Sequence, residues 1–325
     1  MAPDDAVLSL LAPGAELEHL VGGCTWSEGP VWLPDEGPSG AQGRGVVRWS
    51  DIPGDRVLFY EPATGASGVH RAGVEFLNGR TRAPGGGVVQ CSHGRRRVEV
   101  ERPAPGGDGG EPVVEALVDH VDTPDGPRRF NSPNDVVVDA AGSVWFTDPA
   151  YGLFQPGEGH PGEREYGGCH VFRLDPDGVL EAVATDFEQP NGLALSPDGQ
   201  LLYVSDTGRI SDRAGDGNHH VRRFAVVTGD DGRRRLTGGE VLHVCERGVV
   251  DGFRVDDAGR LWCSSEDAVL VLSPDGELIG RVPVPEVVAN VCFGPENAHG
   301  GQDLYVTAST SLYRIATRVR GAEPR

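Results

Sequence analysis

The sequence predicts an all-β protein, and within that class a six-bladed β-propeller. Three observations carry the prediction. The 48 glycines and 25 prolines among 325 residues are spread along the chain, which requires many short connections between short apolar runs. One pattern recurs: Asn134 opens NDVVVDAAGSVWFTD, Asn191 opens NGLALSPDGQLLYVSD and Asp251 opens DGFRVDDAGRLWCSS. No sustained helical period competes with it.

Each recurring unit has apolar residues at period two, then a turn ending in Gly142, Gly199 or Gly259, then a second strand carrying Trp145, Tyr203 or Trp262. A polar-Gly turn between two alternating runs signals a hairpin, because glycine supplies the positive φ. Further strands follow each unit at 170–183, 221–235 and 268–282, so the unit is four short strands. The openings are separated by 57 and 60 residues, more than a blade of roughly 40–50 needs, which predicts insertions at 152–167 and 207–219. Weaker units start at Glu28 in SEGPVWLPD, at Asn78 in FLNGRTR and at Asn290 in ANVCFGPE. Six units result, with blades from about residue 15 onward, and residues 1–325 read as one propeller domain. Propellers protect their edges by pairing the N-terminal strand into the last blade, a role expected for Ala15–Leu20 or Arg314–Arg318. The Gly-, Pro- and acid-rich segment 104–128 reads as an exposed loop, and the terminal GAEPR as frayed. A pair of β-sandwiches is the alternative architecture, and the repeat argues against it.

The formal net charge of −20 repels phosphate backbones and anionic lipid, so neither nucleic acid nor a membrane surface is an expected partner. The N-terminus lacks a basic region ahead of its short apolar run, and no segment reaches about 18 consecutive apolar residues. The expected location is the cytoplasm. Oligomeric state is not encoded in any readable pattern. The six cysteines lie far apart with no C-x-x-C pair, and read as buried or half-buried free thiols.

The first strand of each propeller blade lines the central channel. Residues at that place converge in space: Glu28, Asn78, Asn134, Asn191, Asp251 and Asn290. All six bear oxygen and none is basic. Such a ring is costly to bury unless a cation satisfies it. Carboxylate and amide oxygens without His or Cys suit hard divalent ions, Ca²⁺ first, with Mg²⁺, Mn²⁺ or Zn²⁺ as alternatives. Few protein ligands leave positions open for water and a small-molecule substrate. His93, in CSHGRRR near the channel mouth, is a candidate hydrogen-bond partner of substrate. Tyr151 is placed to line the mouth. His219 and His220 fall in an insertion and read as solvent-exposed. No G-x-S-x-G supplies a serine nucleophile.

SEGPVW at 27–32, SPNDVVVDAAGSVWFTDPAYG at 132–152, QPNGLALSPDGQLLYVSDT at 189–207 and VDGFRVDDAGRLW at 250–262 resemble the gluconolactonase and regucalcin family over nearly the whole chain. NSPND followed by W-F-T-D-P-x-Y-G is similar to its bacterial gluconolactonase branch. The resemblance implies a six-bladed propeller and a metal held by Glu28, Asn191 and Asp251. It implies that Asn134 contacts substrate or a metal-bound water and that Asp251 acts as acid/base, while Asn78, His93 and Tyr151 are candidate substrate contacts by position alone. The basic residue that binds sugar hydroxyls in the regucalcin branch is replaced here by Ser132, with Arg129 near but not matched.

These readings predict a lactonase: a metal-dependent hydrolase of a sugar lactone or similar cyclic ester. The cation would stabilise the oxyanion and Asp251 would move the proton. Asp135, Asp148 and Asp206 are further carboxylates. The last two end second strands, which marks them as structural. Alternatives on the same scaffold are an organophosphate-type ester hydrolase, a non-hydrolytic natural-product enzyme and a non-enzymatic calcium-binding propeller.

Overall fold

A computed structural model describes residues 3–37, 43–104, 110–211 and 215–322. Six four-stranded antiparallel sheets are arranged as the blades of a propeller. Their innermost strands are Ser27–Leu33, Leu77–Arg82, Val136–Val138, Pro190–Leu195, Phe253–Val255 and Val288–Glu296, one for each predicted opening. The ring closes through Glu18–Val21, which pairs with Ser311–Ala316 as the outer strand of blade six. This is the first of the two segments expected to close it.

The turns follow from side chains that satisfy their backbone. In blade three Asp139 Oδ1 accepts the N–H groups of Ala141 and Ser143, and Oδ2 accepts Trp145 Nε1–H at 2.9 Å. Blade five repeats this through Asp256, Ala258, Arg260 and Trp262. The D-x-A-G-x-x-W spacing therefore encodes a capped hairpin with a buried indole. In each turn one carboxylate takes the tryptophan N–H and two turn amides, and the glycine N–H donates to the aspartate's own carbonyl.

Apolar faces of neighbouring blades make the core. Phe130, Phe146 and Phe172 pack edge-on and stacked between blades two and three, and Trp262 meets Phe293 edge-on between blades five and six. A buried ion cluster joins blades one and two. Glu101 accepts hydrogen bonds from Arg48 at 3.2 Å and from Arg71, and pairs with His70. All six cysteines are buried free thiols, as their spacing implied.

Residues 113–128, within the segment 104–128 expected to be a loop, depart from that expectation, and 105–109 lie outside the described residues. Val113–Val118 is the outer strand of blade two, and His120–Thr123 pairs with Gly126–Arg129 as a separate hairpin. The edge strand Val113–Val118 keeps most of its side chains exposed, Val113 and Leu117 included, so no buried apolar alternation marks it in a Gly- and Pro-rich stretch. The two short α-helices among the described residues, Tyr151–Phe154 and Gly208–Ser211, fall at the predicted insertions, the first beginning one residue before it. His219 and His220 are half-buried rather than exposed, and His219 bonds Arg209. Among the described residues no helix is long and apolar enough to cross a membrane.

Candidate active site

The channel floor is built by backbone approach between blades. The residue after a ring member is glycine at Gly29, Gly79, Gly192 and Gly252. Gly79 N–H donates to Asn134 O at 2.8 Å, and Gly192 N–H to Asp251 O at 3.0 Å. A Cβ at Gly29, Gly79 or Gly192 would overlap the carbonyl oxygen of the next ring residue. Glycine is therefore a packing requirement there, and the X-Gly dipeptides of the repeat are its trace.

Hydroxyls on the second strands hold the ring from behind. Ser50 donates to Asn78 O, Thr147 to Asn191 O, Ser205 to Asp251 O and Thr307 to Asn290 O. Aspartates fix the segments that lead in. Asp51 accepts the N–H groups of Thr25 and Trp26, Asp148 those of Asn131 and Ser132, and Asp206 those of Glu188 and Gln189. Each carboxylate thus fixes the backbone two or three residues ahead of Glu28, Asn134 or Asn191. Asp148 and Asp206 are structural, as their positions implied.

Glu28, Asn78, Asn134, Asn191 and Asp251 line one cavity of ≈ 440 Å³. The sixth ring residue, Asn290, stands behind it and donates from Nδ2 to Glu28 Oε2 at 3.1 Å. Burial raises the Glu28 carboxyl to about 7, against the Gly29 N–H bond, and Asp135 raises it further. Burial also raises Asp251 well above the carboxylate range, with the charges of Glu28 and Glu158 adding to it. Asn191 Nδ2 donates to Thr207 Oγ1 at 3.2 Å, which fixes the amide beside Asp251. Beneath the floor Arg254 lies 3.6 Å from Asp135. Among the described residues no group of three His, Cys, Asp or Glu side chains forms a metal cluster. The floor is instead two carboxylates supplemented by amides.

The profile described as SMP-30/Gluconolactonase/LRE-like region matches residues 26–310, from the segment entering blade one to blade six. The chain belongs to that family. It is 30% identical to a gluconolactonase of Zymomonas mobilis over 98% of this chain and 85% of the relative. It is also 30% identical to a pentonolactonase of Haloferax volcanii, over 88% and 82% of the two chains. A solved gluconolactonase from Xanthomonas campestris superposes with a TM-score of 0.81 at 33% identity, covering 98% of this chain and 95% of the other.

Against this gluconolactonase-type scaffold the predicted residues sort into two layers. Glu28, Asn78, Asn134, Asn191, Asp251 and Tyr151 face the cavity. Tyr151 is anchored through its hydroxyl to Thr207, the residue that holds Asn191. His93 does not line the cavity. It is buried behind the ring, where Nε2 meets Asn78 Nδ2 at 3.2 Å and Nδ1 meets Glu158 O at 2.8 Å. The two partners fix the tautomer: Nδ1–H donates to the carbonyl and Nε2 accepts from the amide. Burial holds its pKa near 4, which keeps the ring neutral and this pattern intact. In place of the expected contact at the mouth, His93 bridges Asn78 and the Glu158 backbone. Ser132 is also buried, donating to Pro149 O and accepting Gly152 N–H, so it replaces the basic residue with a brace for the Tyr151 helix. Arg129 is exposed and outside the cavity.

Sequence reasoning missed Glu158 and Glu266, which complete the cavity's acidic lining, and the apolar wall of Trp26, Ile52 and Val249. Glu158 lies in the 152–167 insertion and belongs to no repeat, so no register pointed to it.

Proposed function

We propose that this chain is a cation-dependent hydrolase of a sugar lactone or similar cyclic ester. The lactonase class is the one its relatives carry. The observation that supports cation dependence is the floor itself: Glu28 and Asp251 are enclosed together, burial raises both carboxyls, and the charge of Glu28 raises Asp251 further. Two enclosed like charges are stable as carboxylates when a cation sits between them. The donor set fits a hard divalent ion: Glu28, Asn191 and Asp251 would hold it, with Asn134 beside them. When bound, that ion supplies Lewis-acid stabilisation of negative charge on the lactone carbonyl and acidifies water.

The chain's own residues do the rest. Asn290 and Gly29 orient the Glu28 carboxylate through their N–H groups. Thr207 orients Asn191, and the Ser205 and Ser264 hydroxyls fix the Asp251 backbone. Asn78 and Asn134 present amides to substrate hydroxyls, and the apolar wall limits water in the cavity. Among the described residues no Lys, Arg or His lines this cavity, which favours a lactone without an anionic group. Asp251 has two competing tasks: as a ligand it stays ionised, and an ionised ligand is a weak base.

A pH-indicator assay with glucono-1,5-lactone and pentonolactones, with and without chelator, tests the proposal. The expected result is acid release that chelator stops and a divalent cation restores. Absence of enzyme-dependent acid release from any lactone overturns the function, and release that chelator leaves unchanged overturns its cation dependence.

A further inference from the structure

We propose that Glu158 is the proton-carrying residue of this hydrolysis, taking a proton from the attacking water and delivering it to the leaving ring oxygen. The inference rests on the lactonase reading above and deepens it. Glu158 faces the same cavity as Glu28 and Asp251, from the loop between the two central strands of blade three. Its backbone is tied to the channel ring. Asn78 donates to His93 Nε2, and His93 Nδ1–H donates to the Glu158 carbonyl, so one side chain connects the channel ring to the loop. On the other side Gly159 packs on the Gly152 backbone, where a Cβ would overlap the Gly152 carbonyl. A loop fastened at both sides holds its carboxylate over the floor.

The carboxylate is also uncommitted. Among the described residues no hydrogen bond or ion pair engages its oxygens, unlike those of Glu28, Asp148 or Asp206. Burial lifts it to about 7, which suits a group that must accept and return a proton near neutrality. The ionisable groups around it are Glu28 and Asp251 on the floor, Glu266 on the cavity wall, Tyr151 on its own insertion and His93 behind it. The exposed His160–Glu75 pair lies two residues along the loop. None of these side chains is cationic apart from His160 when protonated, so no side chain ties up the Glu158 carboxylate as an ion pair.

The step balances without any further reagent. Water adds to the lactone carbonyl carbon as its proton passes to the Glu158 carboxylate. The ring C–O bond then breaks, and the Glu158 carboxyl returns that proton to the departing oxygen. The product is a hydroxy acid whose new carboxyl group ionises in solution, while Glu158 ends as it began. Asp251 is thereby released from its second task.

Glu158→Gln tests this in the cation-loaded full chain, read by kcat, KM, the pH profile and calorimetric titration with Ca²⁺ or Mn²⁺. We expect kcat to fall roughly 10²–10⁴-fold with KM within about threefold. The wild-type kcat/KM should rise with pH as the base ionises, and that limb should be absent in the variant. Glu158→Asp should recover part of kcat, and cation affinity should stay within about twofold in both variants. An active wild type with an unchanged kcat in Glu158→Gln overturns the inference alone. So does a raised KM at constant kcat, which identifies a substrate-hydroxyl contact, or a lost cation titration, which identifies a ligand. A wild type inert on every lactone overturns the lactonase reading first and the inference with it.

Discussion

The floor of the channel and its mouth are built by different rules. The floor is six copies of one device: an oxygen-bearing residue, often followed by glycine, held in several blades by a hydroxyl on a second strand. The mouth is made by insertions that occur once each. Tyr151 and Glu158 come from one, and Ile210 from another. Repetition makes the floor rigid and readable, and singular loops give the mouth its individual shape. In this propeller the proposed cation ligands sit on the symmetric part, and the residues that shape the mouth, the proposed proton carrier Glu158 among them, sit on the asymmetric part.

The largest expected effect lies on the floor. Asp251→Asn removes one of two enclosed carboxylates. Cation affinity should fall more than about 100-fold, beyond the usual cost of losing a residue that merely orients a ligand, and turnover should fall with it. Calorimetric titration and lactone assays check both. Normal cation binding in this variant would break the comparison, since the floor would then not be the cation site.

How much was legible follows from the same contrast. Glu28, Asn78, Asn134, Asn191 and Asp251 were found because repeats put residues of one register on one wall, and five of the six reached the cavity. Asn290 shares the register but turns its amide to Glu28, a side-chain rotation that register does not encode. His93 looked like a contact because its strand end was near the mouth. Its depth behind Asn78 depends on the blade's packing, which the sequence does not display. Glu158 carried no periodic signal. The strand Val113–Val118 was lost because it sits at a blade edge with most side chains exposed and so shows no buried alternation.

The next effect tests whether the wall between blades one and two supports the floor without taking part in it. Burial alone would raise Glu101, but the His70 hydrogen bond with Arg48 and Arg71 overrides it and holds the carboxyl at about 2. A depressed carboxyl stabilises the fold above its unfolded value near 4.5, and that contribution is lost as pH falls toward about 2. Glu101→Gln should cost about 3–5 kcal/mol at pH 7, since it leaves buried guanidinium groups facing a neutral amide. Urea melts should show the gap to wild type closing between about pH 4.5 and pH 2. A constant gap would mean that the cluster does not titrate as described. Cation affinity measured below the melt should be unchanged.

Gly192→Ala returns to the floor with a smaller perturbation. The new methyl would overlap the Asp251 carbonyl, so the two blades must separate locally. A cost of roughly 1–3 kcal/mol is expected for such overpacking. Because the displaced residue is Asp251, cation affinity should fall too, whereas Gly126→Ala in the outer hairpin, with open space around it, should leave cation affinity alone.

The smallest effect is expected where floor and mouth meet. Thr207 Oγ1 accepts Asn191 Nδ2–H and Tyr151 O–H while donating to Gln189 O. One hydroxyl thus orients a proposed cation ligand and a cavity wall together. Thr207→Val keeps the shape and removes all three bonds, so cation affinity should weaken about tenfold, the lower end for a residue that orients a ligand. Thr207→Ser keeps the hydroxyl and should bind cation nearly as the wild type does. If the valine variant binds cation normally yet shows an altered KM, Thr207 serves only Tyr151 and the mouth. If both fall together, the floor and the mouth are set by a single contact, and the boundary between the readable and unreadable halves of the site runs through Thr207.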